Sequence, residues 1–169
     1  MTKVETKKIK QGGFTLIEVV LVLAIGGLIF LLAFIAFQQA STNRRDTQRR
    51  SDAARIISEL QNAQGDGLTV NNQTKLTGGT GGTSPSAASP SLSTGFVASY
   101  LGGGLKGPNN YYGFTYSVST SAQNPAVDQM IVGNGVKCAT GANNQFATQA
   151  GSNGVIVGLE KGVSCRDDQ

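Results

Sequence analysis

Histidine is missing from all 169 residues, and that absence removes several chemistries at once. No ordinary histidine-based nucleophile relay can be assembled, and the imidazole ligands of a histidine-rich zinc site are lacking. Cysteine is nearly as scarce: Cys138 and Cys165 alone cannot complete a metal site. The acids Asp128, Glu160, Asp167 and Asp168 are scattered and do not follow the spacing of a calcium loop. The glycine-rich tract from Gly78 to Gly82 has neither a strand before it nor Lys-Ser/Thr after it, so it is not a phosphate loop. No catalytic residue, metal or cofactor is expected, and the chain is not read as an enzyme.

Proline occurs four times and never before Pro85, which leaves the first half free of helix breakers of that kind. Charge is sparse too, and Val19 to Phe37 forms a stretch of 19 residues with none. At 1.5 Å per residue this is close to one hydrocarbon thickness, so it reads as a transmembrane helix. A secretory signal would have a shorter apolar core followed by a small-x-small cleavage site. Phe37-Gln38-Gln39-Ala40 offers no such site. Gly26-Gly27, mid-span, reads either as a surface for close helix approach or as the place where the helix would loosen.

The net charge of +4 resides mostly in residues 1–13, where Lys3, Lys7, Lys8 and Lys10 face only Glu5. Without that leader the balance falls to +1, weak support for a nucleic-acid partner. Lysines before the span and Arg44, Arg45, Arg49 and Arg50 after it leave the positive-inside rule undecided. The cysteine pair and the Ser/Thr/Gly/Asn-rich C-terminal part favour an outward location for that part. The cysteines themselves read as one disulfide in an oxidising compartment, the alternative being two buried thiols.

Beyond Phe37 no breaker intervenes before Gly65-Asp66-Gly67, and Ala53, Ile56, Ile57, Leu60 and Ala63 recur at helical spacing. One helix is expected over residues 14–64, roughly 77 Å long, with supportive pairs Asp46–Arg50 and Asp52–Arg55. The arginines of residues 44–50 read first as a solvated or headgroup-facing helix end. They would otherwise pair with acids of neighbouring subunits, or touch DNA phosphates, although no aromatic residue interleaves with them.

From Gly65 to Gln169, 19 residues are glycine, which argues for loops and short strands. Residues 77–93 read as a flexible loop and a candidate for O-glycosylation. A short helical turn is expected over Phe96–Leu101, ended by Gly102-Gly103-Gly104. Strands are expected at Tyr111–Thr120, Gln129–Lys137 and Gly154–Glu160, with Cys138 ending the middle strand and Cys165 following the last.

A lone carboxylate, Glu18, stands at the start of the apolar run. In lipid such a charge costs roughly 2.5 kcal/mol or more, so it needs a partner or an escape to the interface. The stretch Gly12-Gly13-Phe14-Thr15-Leu16-Ile17-Glu18-Val19, after a lysine-rich leader, closely resembles the prepilin-peptidase segment of type IV pilins. The resemblance covers residues 1 to about 64 strongly and the remainder in general pattern. It implies a long N-terminal α-helix packed on a small antiparallel β-sheet, an α+β fold.

It also implies cleavage after Gly13, N-methylation of Phe14, and a register role for Glu18, which would meet the Phe14 amine of a neighbouring subunit. The domains would be a leader (1–13), a membrane and filament-core helix (14–37), its amphipathic continuation (38–64) and a head (65–169). The cysteine pair would bound the C-terminal region of that head. Implied partners are further copies of the chain, prepilin peptidase, the assembly platform, minor pilins and the membrane before assembly. The implied destination is a surface filament serving adhesion, twitching motility or DNA uptake. Rival readings are a pseudopilin of a type II secretion system and an uncleaved membrane-anchored binding domain.

Overall fold

The computed structural model describes residues 13–77 and 95–169. The leader through Gly12 and all but the first residue of the 77–93 loop lie outside these, so the expectations for both are not addressed by the fold. The described chain forms two compact units, one ending at Ser41 and the other spanning Thr42–Gln169.

Helix α1 runs Leu16–Gly65, within two residues of the expected span at each end. Gly26 and Gly27 are helical like their neighbours. In the first unit the apolar side chains of α1 stand exposed, from Leu16 through Phe37. This helix is long and apolar enough to cross a membrane.

In the second unit Ala53, Ile56, Ile57, Leu60 and Ala63 are all buried, as their spacing required. They join Phe114, Met130, Val132, Val155 and Val157 in the main core. The helix ends where Leu68 N–H bonds back to Ala63 C=O and Gly67 takes a positive φ of 85°. Two short helices follow, α2 (Gln73–Thr77) and α3 (Phe96–Tyr100), which add Leu76, Phe96 and Val97 to that core.

Among the described residues four strands make one sheet in sequential order: β1 (Gly113–Tyr116), β2 (Gln129–Cys138), β3 (Phe146–Leu159) and β4 (Gly162–Asp167). The fold is α+β, with the long helix packed against this sheet, consistent with the type IV pilin fold. The sheet is mixed, however, because β1 runs parallel to β2 while the other pairs are antiparallel. A parallel neighbour needs a crossover, and residues 117–128 provide it. Val127 of that crossover bridges to Gly158, and a Cβ added there would run into Ala126 C=O. Glycine at 158 is thus required by close backbone approach rather than by a turn.

The outer edge of β1 is closed by one side chain. Gln73 Oε1 accepts the Tyr116 N–H at 2.6 Å, and Gln73 Nε2 donates to Phe114 C=O at 3.1 Å. This amide replaces a ladder partner and blunts an edge that would otherwise invite pairing.

The expected strand at 154–160 is only the second half of β3. Its last eight residues are all buried, because both faces of the sheet are covered. One face meets α1. On the other, the far end of the β2–β3 hairpin bends back after a bulge between Asn134 and Val136. Val136 and Phe146 then rest on Ile156, with Ile131, Val163 and Cys165 around them. The Phe146 ring lies over Gly154, where an added Cβ would come within 2.7 Å of it.

Cys138 and Cys165 form a disulfide across 27 positions of sequence. Cys165 lies inside β4 rather than after the last strand. The bond therefore ties the folded hairpin end to the edge strand. Replacing both cysteines by serine is expected to lower unfolding stability by about 3–4 kcal/mol through restored unfolded-chain entropy. Urea unfolding of the two forms checks this, and a loss below about 1 kcal/mol would show the hairpin held by packing alone.

Candidate functional site

At the start of α1, Gly13, Phe14 and Thr15 precede the first helical turn. Thr15 and Glu18 bond reciprocally. Thr15 N–H donates to Glu18 Oε2 at 2.8 Å, and the Thr15 hydroxyl donates to the same oxygen at 2.7 Å. Glu18 N–H in turn donates to Thr15 Oγ1 at 3.4 Å. This is a capping box, Thr-x-x-Glu, in which a helix start satisfies its own orphan donors. Glu18 also lies in the first turn, where the helix dipole favours a negative charge. Only one carboxylate oxygen is used, since no hydrogen bond reaches Oε1 among the described residues.

The cap was legible as Thr-x-x-Glu ahead of an apolar run, but the resemblance drew attention to the charge alone. Phe14 is 90% exposed and lines an apolar groove with Glu18, Val19, Val22 and Leu23. Among the described residues this helix face is exposed.

The second unit holds a cluster that the pattern of residues did not reveal. Arg49 is fully buried, and its Nε donates to Asp128 Oδ1 at 2.8 Å. Its Nη1 donates to Asp46 Oδ1 at 3.0 Å and to Glu160 Oε1 at 3.2 Å. Arg45 adds a two-pronged contact to Glu160, at 2.5 and 2.9 Å. Asp46 also accepts the Glu160 N–H, so the β3–β4 turn is clasped to α1 through backbone and side chain. Asp128 alone among described non-glycine residues has a positive φ, 62°, a strained state that its bond to Arg49 helps hold.

These contacts correct three expectations. Asp46 pairs with Arg49 rather than Arg50. Asp52 accepts the buried Tyr112 hydroxyl at 2.8 Å and makes no ion pair with Arg55. Arg49, expected on a solvated or headgroup-facing helix end, is instead fully buried among acids of its own chain, and Arg45 pairs with Glu160. Asp128 and Glu160 lie 79 to 115 positions from these arginines, so no local spacing could announce them, whereas Asp46 is only three positions from Arg49.

The titration behaviour follows from the geometry. The Arg45 hydrogen bond, then Arg49, holds the Glu160 carboxyl down at about 2. Burial works against the charge of Arg49, but its bonds to Asp128, Glu160 and Asp46 outweigh that and raise its pKa. Burial, then the bond to Asp52, pushes the Tyr112 hydroxyl far above its usual value, so it remains a donor.

Among the described residues no group of three or more histidine, cysteine or acidic side chains is placed to hold a metal ion. Asp167 Oδ2 accepts the Cys138 N–H and Asp168 Oδ2 accepts the Asn153 N–H, both as structural contacts.

A chain with an exposed apolar helix start, a capped acidic residue there and a helix-on-sheet head has the build of a prepilin-type protein. Comparison with known families agrees: residues 8–34 match the prokaryotic N-terminal methylation motif, the class III signal of type IV pilins. The chain thus carries the signal of a prepilin-peptidase substrate, pilin-like or pseudopilin-like, which implies processing and assembly into pilus-like filaments. No curated protein and no solved structure matches the chain.

Proposed function

We propose that this protein is a type IV prepilin whose mature form is a structural subunit of a surface pilus. The observation that carries this reading is the methylation motif at residues 8–34 on an apolar, exposed helix start. Cleavage after Gly13 removes the basic leader and frees an amine on Phe14, which is then N-methylated. Glycine suits the scissile position because a peptidase at the membrane surface needs an extended, unencumbered backbone. Residues 14–37 serve first as membrane anchor and then as filament core, residues 38–64 carry the head, and residues 65–169 face outward.

Glu18 acts as the register key. Its free Oε1 suits the Phe14 amine of an entering neighbour, so that two charges costly in an apolar core neutralise each other. Partners are further copies of the chain, prepilin peptidase, the assembly platform and minor pilins. The chain begins in the cytoplasmic membrane and ends in an extracellular filament that supports adhesion, twitching motility or DNA uptake.

The test is mass spectrometry of the N-terminal peptide from material sheared off living cells. An N-methylated Phe14 in that fraction is the expected result. Processed chain confined to the membrane would instead favour a secretion pseudopilin, and a peptide beginning at Met1 or Thr2 would leave only an uncleaved anchored domain.

A further inference from the structure

One cavity in the second unit has no part in the clasp or in the helix start. It has a volume of about 490 Å³ and lies where the folded end of the β2–β3 hairpin meets β4. Arg50 of α1 and Arg166 of β4 both line it, together with Asn143, Ser164 and Asp167. Both sulfur-bearing residues of the disulfide stand in its wall, so that bond holds its two sides together.

The two arginines differ from Arg45 and Arg49. Neither Arg50 nor Arg166 takes part in an ion pair among the described residues, yet they converge on the same cavity. The carboxylate of Asp167 is already committed at Oδ2 to the Cys138 N–H, at 2.7 Å. The cavity is therefore rich in donors and positive in balance. Guanidinium forks match the paired oxygens of carboxylate and phosphate better than any other side chain does.

Size and lining narrow the ligand further. The pocket is open to solvent, with Arg50 and Arg166 exposed at its mouth, and it has room for more than a bare anion. No aromatic side chain lines it, so it offers no platform for stacked bases. Ser164, Asn143 and the second oxygen of Asp167 suit hydroxyl groups. We propose that this cavity binds a compact oxyanion, carboxylate or phosphate, borne on a polar carrier of about monosaccharide size. The inference rests on the head alone and does not depend on filament assembly.

The test is an NMR titration of the full chain in non-ionic detergent at fixed ionic strength. The probes are glucuronate, glucose 6-phosphate, glucose and a short DNA duplex. Both acids are expected to bind saturably and to shift the backbone amides of Asn143 and Ser164, while glucose does not. The tighter acid identifies the group the site takes. Arg50→Gln and Arg166→Gln should each weaken binding roughly tenfold, about the worth of one charge-assisted hydrogen bond, and Arg44→Gln should not.

The wild-type titration decides the matter even if a variant misfolds. Failure of both acids to saturate would overturn the proposal. So would equal losses with Arg44→Gln, which would mean diffuse charge. Tighter binding of the duplex through the same two arginines would assign the cavity to nucleic acid instead.

Discussion

Replacing Glu18 by glutamine is expected to leave the prepilin inserted, capped and cleaved, yet reduce surface filaments by two orders of magnitude or more. The size follows from the proposed pairing, because stranding one charge of a buried pair costs about 3–5 kcal/mol and each 1.4 kcal/mol is tenfold. Glutamine is the informative choice. A capping box accepts Glu or Gln at its third position, so Glu18→Gln keeps the bonds to Thr15 that Glu18→Ala would remove. Quantifying sheared filaments from both variants separates the two roles of this side chain. If the glutamine variant assembles like wild type while the alanine variant fails, the carboxylate serves the cap and the register key is wrong.

The second large effect is expected at Arg49. Arg49→Met keeps most of the volume but leaves Asp46, Asp128 and Glu160 facing one another without their central cation. A loss of about 3–5 kcal/mol in unfolding stability at neutral pH should follow. Urea unfolding measures it, and a loss below about 1 kcal/mol would place the cluster with ordinary surface pairs.

Acid titration tests the same clasp from its other side. Glu160 has a folded-state pKa of about 2, below the usual carboxylate value, and its largest cause is Arg45. A depressed carboxylate stabilises the fold above its unfolded pKa, so that contribution is intact above roughly pH 5. It should fade as pH falls from about 4.3, the unfolded value, through about 2. Arg45→Gln should flatten that limb of the stability curve. An unchanged limb would mean that other carboxylates govern acid unfolding.

Much of this molecule was readable in order along the chain. The long helix followed from an uninterrupted apolar run and a regular buried stripe, both of which depend on neighbours within four positions. Gln129–Lys137 was legible as a strand because Ile131, Val132 and Val136 stand between turn signals, and the observed strand runs one residue further. Strand β4 was not, since Gly162–Asp167 contains one β-branched residue, Val163, and draws its stability from pairing with β3. The parallel placement of β1 was equally hidden. It is decided by where the 117–128 crossover lies against Gly158, a contact between distant segments.

The same division runs through the candidate sites. A basic leader, Gly13, Phe14, and Glu18 at a helix start are local features, so the sequence by itself determined the signal and the class of substrate it marks. Its two cysteines were few enough that pairing them needed no fold. Only the tertiary structure decided that Arg49 is buried among three acids, that Asp52 serves Tyr112, and that Arg50 and Arg166 share a cavity. The physical reason is range: backbone periodicity and capping act over a few residues, whereas the burial of a charge depends on which remote carboxylates the fold brings to it.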